Sequence, residues 1–554
     1  MNAIKKYRSI FITIIITFLV TFLLFKFTSI FKTQKETIVS AGKLFGLEFS
    51  NAKIDSMQDM LNDQLKNYTN IRKIKLDNSV PPAVLFNPIP AGFKISRDQK
   101  PIVLSDYSYV KMPKDINELA YYSIGELAYL IKNKKISSVE LTRFFIERLK
   151  QYSPKLLCVI TLTEDLALKQ AAKADEEIKQ GKYRGMLHGI PFGVKDLLTT
   201  KTYKTTWGAP PYKEQLIDED ATVVQKLEEA GAILCAKFSM GELAMDDVWF
   251  GGLTRNPWDT NSGSSGSSAG SASAVSAGII PFAIGTETWG SIVSPSTVCG
   301  VTGLRPTYGR VSRTGAMALS WSMDKIGAIC RNTEDLAIVF NVIHGEDGKD
   351  QTLYDAAFNY SPKIDLKNLR VGYLKKDFER KYASRKNDSL ALAKLESLGV
   401  KLIPIELPDV STNDLAIILN AEAAAQFDVL TRSGQDDQLV RQMKYAWPNV
   451  FRASRFIPAV EYINASRLRY QLIQEMKKLF DKVDIYIAPS LEGDNLLATN
   501  LTGNPCVVVP DGFDKGMPTS ISFIGNLFDE GTIIAAAKAY QDATDYHKKH
   551  PVIK

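Results

Sequence analysis

Histidine is scarce in this chain. The 554 residues include four histidines, two of them in a basic C-terminal stretch: His188, His344, His547 and His550. A histidine-based catalytic triad or a histidine-rich metal centre therefore has very few candidates. If a hydroxyl nucleophile is present, its base is expected to be another residue type.

The cysteines indicate neither a disulfide framework nor a zinc site. They are odd in number, far apart in sequence and never arranged as Cys-x-x-Cys: Cys158, Cys235, Cys299, Cys330 and Cys506. Paired, closely spaced cysteines are typical of both kinds of site. We therefore expect no metal, and no motif in the chain indicates an organic cofactor.

A strong charge imbalance is also lacking. The formal net charge of +7 is a mild excess for a chain of this length, and its Lys and Arg residues are scattered rather than gathered into a stripe. We therefore expect no nucleic-acid partner. The balance of 45% hydrophobic and 23% charged residues is typical of a globular protein.

The N-terminus carries the one long apolar run. Residues 10–25 contain no charge, and residues 27–31 extend the run past Lys26 to roughly the length that a bilayer core requires. We predict a membrane anchor within residues 1–35, and a cleaved signal peptide stays open. We therefore expect a membrane-anchored or exported protein. Lys5, Lys6 and Arg8 precede the run, which favours an orientation with the bulk of the chain on the periplasmic or extracytoplasmic side.

The rest of the chain divides by composition. Residues 36–114 predict a partly helical arm, with a helix near residues 54–65 and a proline-containing segment whose Leu85, Phe86 and Phe93 suggest docking. A main domain is predicted over residues 115–545, and a basic tail over residues 546–554. Within the main domain, residues 345–482 show helical patterns and predict a substrate-binding or partner-binding region. Homo-oligomerisation stays open.

Helix and strand signals alternate from Ser123 onward. Two capping boxes, Ser123-x-x-Glu126 and Ser137-x-x-Glu140, each predict the start of a helix. A helix over residues 164–180 is followed by the apolar strand GIPFGVK at residues 189–195. Another helix and strand follow over residues 221–237. This alternation predicts an α/β fold with a largely buried sheet.

Residues 262–276, SGSSGSSAGSASAVS, have the composition of a flexible linker. Their flank argues against a linker, because the apolar segment AGIIPFAIG follows at once and suits a buried strand. Small residues also allow a backbone to approach a substrate closely. The turn at residues 288–291 can aim consecutive N–H groups at one point, as an oxyanion hole requires.

Several ordered motifs resemble those of the amidase-signature family. They extend from about Ser123 to Arg331 and resume from Val483 to Tyr546. They read LHGIPFGVKD (187–196), DEDATVVQKLEEAGA (218–232), SGSSGSSAGS (262–271), GTETWGSI (285–292), CGVTGLRPTYGRVSR (299–313), SMDKIG (322–327), NLTGNPCVVVP (500–510) and GMPTSISFIG (516–525). The resemblance implies the amidase-signature fold, a large mixed central β-sheet with helices on both faces, and an amidase catalytic domain.

The resemblance also implies the site residues. The family's catalytic lysine matches Lys195, its bridging serine after a cis peptide bond matches Ser267, and its nucleophile matches Ser291. The oxyanion donors are expected to be the backbone N–H groups of four consecutive residues: Thr288, Trp289, Gly290 and Ser291. The neighbouring polar residues are expected to be structural: His188, Asp196, Arg305 and Asp324.

The chemistry of a Ser-Ser-Lys relay suits a chain with few histidines. Lys195 can act as a base only when neutral, so its pKa must fall from about 10.4 toward 7, a penalty of roughly 4–5 kcal/mol on the charged form. Burial at the end of an apolar strand can supply this shift. Ser267 can then pass the proton of Ser291 to Lys195 and return it to the leaving nitrogen.

Two positions depart from the family pattern. Trp289 stands where many members have glycine, and Val293 stands where arginine is common. An inward-pointing Trp289 side chain would narrow or close the pocket, so a non-catalytic, membrane-tethered relative of the fold stays open.

The leading interpretation is an amidase that hydrolyses a small-molecule carboxamide through an acyl-Ser291 intermediate. The alternative within the family is the glutaminase subunit of a tRNA-dependent amidotransferase. That assembly is cytoplasmic, so the N-terminal apolar run counts against this alternative. Peptide, aryl and short aliphatic amides all stay open as substrates.

Overall fold

The computed structural model describes residues 35–553. These form two compact units, residues 35–80 and residues 81–553, which are described separately. The predicted anchor or signal sequence lies outside the described residues, apart from Lys35. Between residues 35 and 553, no helix has both the length and the apolar composition needed to cross a membrane.

Residues 35–80 consist of two helices and their connections. Helix α1 spans Lys35–Leu44 and helix α2 spans Asn51–Ile71. Lys35 of the first helix pairs with Asp55 of the second. Helix α2 contains the predicted helix near residues 54–65 and extends beyond it at both ends.

An eleven-stranded mixed sheet is the centre of the second unit. Its order is β1-β3-β2-β6-β8-β7-β12-β13-β11-β9-β10, and strands β4 and β5 form a separate pair. The strands are β1 Val159–Leu162, β2 Pro191–Lys195, β3 Ile233–Phe238, β4 Val248–Trp249, β5 Gly252–Leu253, β6 Phe282–Glu287, β7 Thr302–Arg305, β8 Lys325–Cys330, β9 Val371–Leu374, β10 Leu402–Ile405, β11 Ile485–Pro489, β12 Cys506–Asp514 and β13 Met517–Gly525. The predicted α/β class with a large mixed sheet is confirmed.

Helices flank this sheet. The α-helices are α3 Ile124–Lys132, α4 Ser138–Leu156, α5 Glu164–Lys179, α6 Thr222–Glu229, α7 Ala269–Ser276, α8 Val293–Cys299, α9 Thr333–Ile343, α10 Lys375–Glu379, α11 Arg385–Ser397, α12 Ile417–Gln426, α13 Asp428–Arg432, α14 Trp447–Ser454, α15 Ala459–Phe480, α16 Asn495–Thr502 and α17 Glu530–Asp542. Short 3-10 helices cover Ile116–Tyr121, Pro210–Tyr212, Glu242–Ala244, Leu366–Asn368, Asn413–Ala416, Gln435–Gln438 and Tyr546–Lys548.

Both predicted capping boxes form. The Ser123 hydroxyl accepts a hydrogen bond from the Glu126 N–H at 3.2 Å, and the Ser123 N–H donates to the Glu126 carboxylate at 2.8 Å. Ser137 and Glu140 make the same reciprocal pair at 3.1 and 2.9 Å. Each box satisfies N–H groups that the first turn of a helix leaves without a partner.

The Ser-Gly segment belongs to the core. Residues 269–276 form the fully buried helix α7, which excludes a flexible linker. The strand expected from AGIIPFAIG begins only at Phe282, because Gly278 ends α7 in the left-handed conformation. The Gly278 N–H donates to the Val275 carbonyl and the Ile279 N–H to the Ala274 carbonyl, as in a Schellman motif.

The segment from residue 81 to residue 110 lies against the main body of its unit. Phe86 packs edge-on against Tyr308, with ring centroids 5.0 Å apart, and Phe93 packs near Phe528. Farther along, Tyr107 donates a hydrogen bond of 2.5 Å to Glu334. The expected docking of this apolar segment is confirmed for its two phenylalanines.

Glu334 offers a test of how firmly the segment is held. Its carboxylate accepts hydrogen bonds from the Ser105 N–H at 3.0 Å and from the Tyr107 and Tyr360 hydroxyls. Because hydrogen bonds to charged groups contribute about 1.5–3 kcal/mol each, we expect Glu334→Ala to increase trypsin cleavage within residues 94–111 by at least about tenfold.

The measurement is limited proteolysis of the native protein followed by mass analysis of the fragments. Glu406→Ala is the matched control, because its carboxylate pairs with Lys376 on the surface. Equal cleavage of the Glu334→Ala variant and the wild type would mean that this carboxylate does not hold the segment.

Candidate active site

Lys195 is the last residue of strand β2, and its side chain is fully buried. Its amine Nζ lies 2.7 Å from Ser267 Oγ, 2.9 Å from Thr286 Oγ1 and 3.2 Å from Ser268 Oγ. The strand carries the lysine into the core because every residue of β2 is buried between β3 and β6. The amine is therefore shielded from bulk solvent and lies among three hydroxyl groups.

Burial sets the protonation of this amine. Removal from water disfavours the ammonium form and lowers the pKa of Lys195 to about 7, although the negative charges of Asp324 and Glu287 oppose the shift. A substantial fraction of Lys195 is then neutral near pH 7. A neutral amine within hydrogen-bond distance of a hydroxyl can accept its proton.

Ser267 lies in a tightly packed turn. The Gly266–Ser267 peptide bond is cis, as the resemblance implied. A Cβ atom at residue 266 would lie 1.7 Å from the carbonyl oxygen of Asp246, so only glycine fits there. Asp247 accepts a hydrogen bond from the Ser265 N–H at 2.9 Å. These contacts hold the Ser267 hydroxyl beneath the surface and against Lys195.

Ser291 lies in the loop that follows strand β6, residues 288–291. Its carbonyl accepts a hydrogen bond of 3.1 Å from the N–H of Ser268, the residue after Ser267. Gly290 has a φ of +85°, which favours glycine, and a Cβ atom there would lie 3.0 Å from Leu496. The structure thus places Ser291 beside the turn whose Ser267 contacts Lys195.

Glu287 anchors the end of β6, immediately before this loop. Its carboxylate accepts hydrogen bonds from the Ile292 and Val293 N–H groups at 2.8 and 2.9 Å, and from Arg305 at 2.9 Å. Asn500 donates a fourth at 2.8 Å. Burial favours a raised pKa for Glu287, but Arg305 and the other donors outweigh it and lower the pKa to about 2. Glu287 is therefore ionised, and its hydrogen bonds to residues 292 and 293 join the two ends of the 288–291 loop.

Asp324 holds the other side of the 288–291 loop. One of its carboxylate oxygens accepts a hydrogen bond of 2.5 Å from the Thr288 hydroxyl. The other accepts hydrogen bonds from the Leu319 and Ser320 N–H groups at 2.8 and 2.9 Å. Burial raises the pKa of Asp324 despite these three donors. The interpretation of Asp324 and Arg305 as structural residues agrees with these contacts.

The two departures from the family pattern have different surroundings. The Trp289 side chain is 41% exposed, whereas Ser267 is 1% exposed and Ser291 is 8% exposed. The Trp289 ring is therefore not packed into the interior with those serines. Val293 is buried at the start of α8, and Arg305 is the cation that pairs with Glu287.

Lys237 of strand β3 is also buried, and it pairs with Asp196, the residue after Lys195. Lys237 Nζ is 3.0 Å from Asp196 Oδ1, and both side chains are fully buried. Asp196 also accepts a hydrogen bond from the Thr206 N–H at 2.9 Å. Burial lowers the pKa of Lys237, and the charge of Asp196 opposes that shift. Asp196 thus serves the scaffold, as expected, and so does His188, whose Nδ1 accepts from the Arg184 N–H at 3.0 Å.

Sequence reasoning missed three contributors to this site. Ser268 and Thr286 complete the surroundings of the Lys195 amine, and Glu287 anchors the loop. Thr286 and Glu287 end a strand directly before the predicted nucleophile loop, and that position could have indicated them. In the sequence alone, Ser268 is merely one of several serines beside Ser267.

The amidase family profile matches residues 140–494 of this chain. The A subunit of the glutamyl-tRNA(Gln) amidotransferase from Carboxydothermus hydrogenoformans is 34% identical over 484 residues, covering 78% of this chain and 99% of that relative. The corresponding A subunit from Thermoanaerobacter pseudethanolicus is 33% identical over 487 residues, covering 79% and 99%. Among solved structures, the peptide amidase of Stenotrophomonas maltophilia superposes with a TM-score of 0.70 at 27% identity, covering 78% of this chain and 98% of that one.

The fold and the relatives define an enzyme that acts on carboxamide C–N bonds. This chain belongs to the amidase family, the amidase-signature enzymes. The resemblance inferred from the ordered motifs is confirmed.

One prediction is wrong. The apolar run before residue 35 predicts a membrane-anchored or exported protein and counts against an amidotransferase component. The two A subunits described above are amidotransferase components whose names include a tRNA, and they contradict the expected location. Within residues 35–553 no helix can cross a membrane, and the predicted membrane contact lies outside those residues.

The role of Glu287 in joining the ends of the 288–291 loop can be tested by the effect of its substitution on the stability of the protein. We expect Glu287→Gln to lower the free energy of unfolding by about 3–5 kcal/mol, because Arg305 then lies buried without a charged partner. The pKa of Glu287 is lowered to about 2 from an ordinary 4.5. Its stabilisation is therefore fully present above about pH 4.5 and is lost as the pH falls toward 2.

Urea unfolding at pH 7 measures this effect, with Glu406→Gln as the control for a surface carboxylate. An unchanged urea midpoint for Glu287→Gln would contradict the role assigned to this ion pair.

Proposed function

We propose that the protein hydrolyses a primary carboxamide through an acyl-Ser291 intermediate, with Ser267 and Lys195 as the proton relay. The observation that carries this proposal is the buried Lys195 amine, 2.7 Å from Ser267 Oγ, in a turn that is bonded to Ser291 through Ser268. A serine hydroxyl needs a base, and a lysine whose pKa is about 7 is suited to that work.

The proposed reaction has an acylation step and a deacylation step, and the same relay moves the protons in both. Ser291 Oγ attacks the amide carbon as its proton passes to Ser267, whose own proton passes to Lys195. The N–H groups of residues 288–291 stabilise the oxyanion. The leaving nitrogen then takes a proton back through Ser267 and departs as ammonia. Water, activated by the same relay, finally hydrolyses the ester and releases the carboxylate.

Glutamine is the substrate that we place first. The relatives at 33–34% identity are named as the A subunits of glutamyl-tRNA(Gln) amidotransferases, and this chain spans 99% of their length. The proposed role is therefore a glutaminase-type subunit that releases ammonia from glutamine.

The second candidate is a free-standing amidase for another small amide. The 0.70 TM-score with a peptide amidase supports it. So does the partly exposed Trp289 indole, two residues before Ser291, because it offers apolar surface to a larger substrate than glutamine.

The substrate test measures ammonia release from glutamine, a C-terminal peptide amide and a short aliphatic amide. Hydrolysis of glutamine at a higher kcat/KM than the other amides supports the first candidate. Selective hydrolysis of a peptide or aliphatic amide supports the second and contradicts the first.

The relay predicts the effects of three substitutions. We expect Ser291→Ala, Ser267→Ala and Lys195→Met each to lower kcat by more than about a thousandfold, because residues that act as a unit fail together. Ser262→Ala, in the same Ser-Gly segment, is the control expected to keep wild-type activity.

A serine-directed phosphonylating probe, located by peptide mass analysis, gives an independent measurement. The wild type should be labelled at Ser291. Activity retained in Ser291→Ala, or a label at another serine, would refute the nucleophile assignment.

The relay also predicts a pH profile. The pKa of Lys195 is lowered to about 7, so the amine is neutral above that pH and protonated below it. We therefore expect kcat/KM for an amide without an ionisable group to rise as the pH increases through about 7 and then to level off. A profile that is flat between pH 5.5 and pH 8.5 would contradict a lysine base.

A further inference from the structure

Residues 319–324 form a loop, here called the support loop, that contacts both the helices of residues 345–482 and the proposed active site. Asp324 ends this loop and accepts the hydrogen bond from the Thr288 hydroxyl. The same carboxylate is bonded to the Leu319 and Ser320 N–H groups, so the loop and Asp324 move together. Whatever positions the support loop therefore positions Thr288.

Glu422 of helix α12, within residues 345–482, holds the support loop. One carboxylate oxygen accepts hydrogen bonds from the Ser320 hydroxyl at 2.6 Å and the Ser322 N–H at 3.0 Å. The other accepts from the Ser322 hydroxyl at 2.7 Å and the Tyr462 hydroxyl at 2.8 Å. Four donors converge on this buried carboxylate, and three of them come from the support loop.

Arg469 of helix α15 holds the same loop from a second direction. Its guanidinium donates to the Ser322 hydroxyl at 2.7 Å and to the Ser322 carbonyl at 2.8 Å. A third hydrogen bond, of 2.5 Å, reaches the Leu501 carbonyl at the end of α16. Arg469 is buried, so its position is determined by these fixed partners rather than by water.

Phe86 covers the guanidinium of Arg469. The central carbon of the guanidinium lies 3.5 Å from the centre of the Phe86 ring, within the range of a cation–π contact. The Phe86 ring also packs against Tyr308 in a T-shaped arrangement. Phe86 lies outside the segment that matches the family profile, which begins at residue 140.

We propose that Glu422, Arg469 and Phe86 are positioning residues that hold Thr288, and with it the 288–291 loop, in the geometry needed for catalysis. The proposal rests on the proposed function, since it assigns this loop the oxyanion donors. The path runs from Phe86 and Arg469 to Ser322, on to Asp324 within the support loop, and then to Thr288. None of the three residues contacts the Lys195 amine in the hydrogen bonds that surround it.

Such a network has a distinctive kinetic signature. Misplacement of an oxyanion donor weakens the binding of the transition state much more than the binding of the substrate. It therefore lowers kcat and leaves KM nearly unchanged. A shift on the order of 1 Å in a reacting geometry can cost about a hundredfold in rate. We expect Glu422→Gln to lower kcat by at least about tenfold with KM within about threefold, because glutamine cannot accept all four hydrogen bonds.

A double-mutant cycle tests whether Glu422 acts through Thr288. The variants are Glu422→Gln, Thr288→Val and the combination, assayed with the amide that the wild type hydrolyses fastest. If both residues act on the same loop, the double variant loses little more kcat than the worse single variant. Fully multiplicative losses would overturn the proposal. Ser322→Ala replaces Glu422→Gln in the cycle if the latter does not fold, and Glu406→Gln is the carboxylate control.

Phe86 has a matched control in the same segment. Phe93→Ala also removes a ring from it, but Phe93 packs near Phe528 rather than on Arg469. We expect Phe86→Ala to lower kcat by about three- to tenfold, Phe93→Ala to leave kcat within about twofold, and Phe86→Leu to restore most of the loss by covering the guanidinium again. Equal effects of Phe86→Ala and Phe93→Ala would overturn the role of Phe86.

The same assays distinguish failure of this inference from failure of the proposed function. Ser291→Ala is assayed in parallel. If it retains activity, the proposed function fails, and this inference fails with it. If Ser291→Ala is inactive while Glu422→Gln, Ser322→Ala and Phe86→Ala all retain wild-type kcat, only the inference is overturned.

Discussion

The site depends on the buried Lys195 amine, which has no counter-ion in contact among residues 35–553. Lys195 Nζ is bonded to the hydroxyls of Ser267, Ser268 and Thr286, while the negative charges of Glu287 and Asp324 act on it from farther away. Each of those carboxylates is already bonded to other donors, three on Asp324 and four on Glu287. Their hydrogen bonds hold them to the loops instead of to the lysine. The pKa of Lys195 is therefore lowered to about 7, and a substantial fraction of the amine is neutral near pH 7, as its proposed work as a base requires.

The two carboxylates that oppose this shift also organise the 288–291 loop. Glu287 clamps the start of α8 and is neutralised by Arg305, and Asp324 bonds Thr288 from the opposite side. Burial of a carboxylate is costly unless several hydrogen-bond donors compensate for the lost water. Glu287 and Asp324 each find such donors in backbone N–H groups of the adjoining loops. The charge balance around Lys195 and the shape of the loop thus come from the same contacts.

Much of this could be predicted from local sequence, and the rest depends on distant contacts. The capping boxes at Ser123 and Ser137 and the strand ending at Lys195 have short-range patterns, and the ordered motifs placed Ser267 and Ser291. The late start of β6 was missed because Gly278 terminates a helix in a segment that has the composition of a strand. Glu422 and Arg469 were missed because they meet Ser322 across 100 and 147 residues, a separation at which no pattern in one sequence reports contact.

The location was predicted wrongly for a related reason. An apolar run is a strong local signal, and it outweighed a resemblance spread over several hundred residues. The proposed support of Thr288, in contrast, depends on residues that lie outside the motifs. The motifs supply Lys195, Ser267, Ser291 and Glu287, but the far side of the loop rests on Glu422, Arg469 and Phe86. Phe86 precedes the segment that matches the family profile. The helices of Glu422 and Arg469 lie within residues 345–482, between the two stretches that carry the motifs. Relatives with identical motifs can therefore differ in how rigidly this loop is held, and in kcat, without any change in the relay itself.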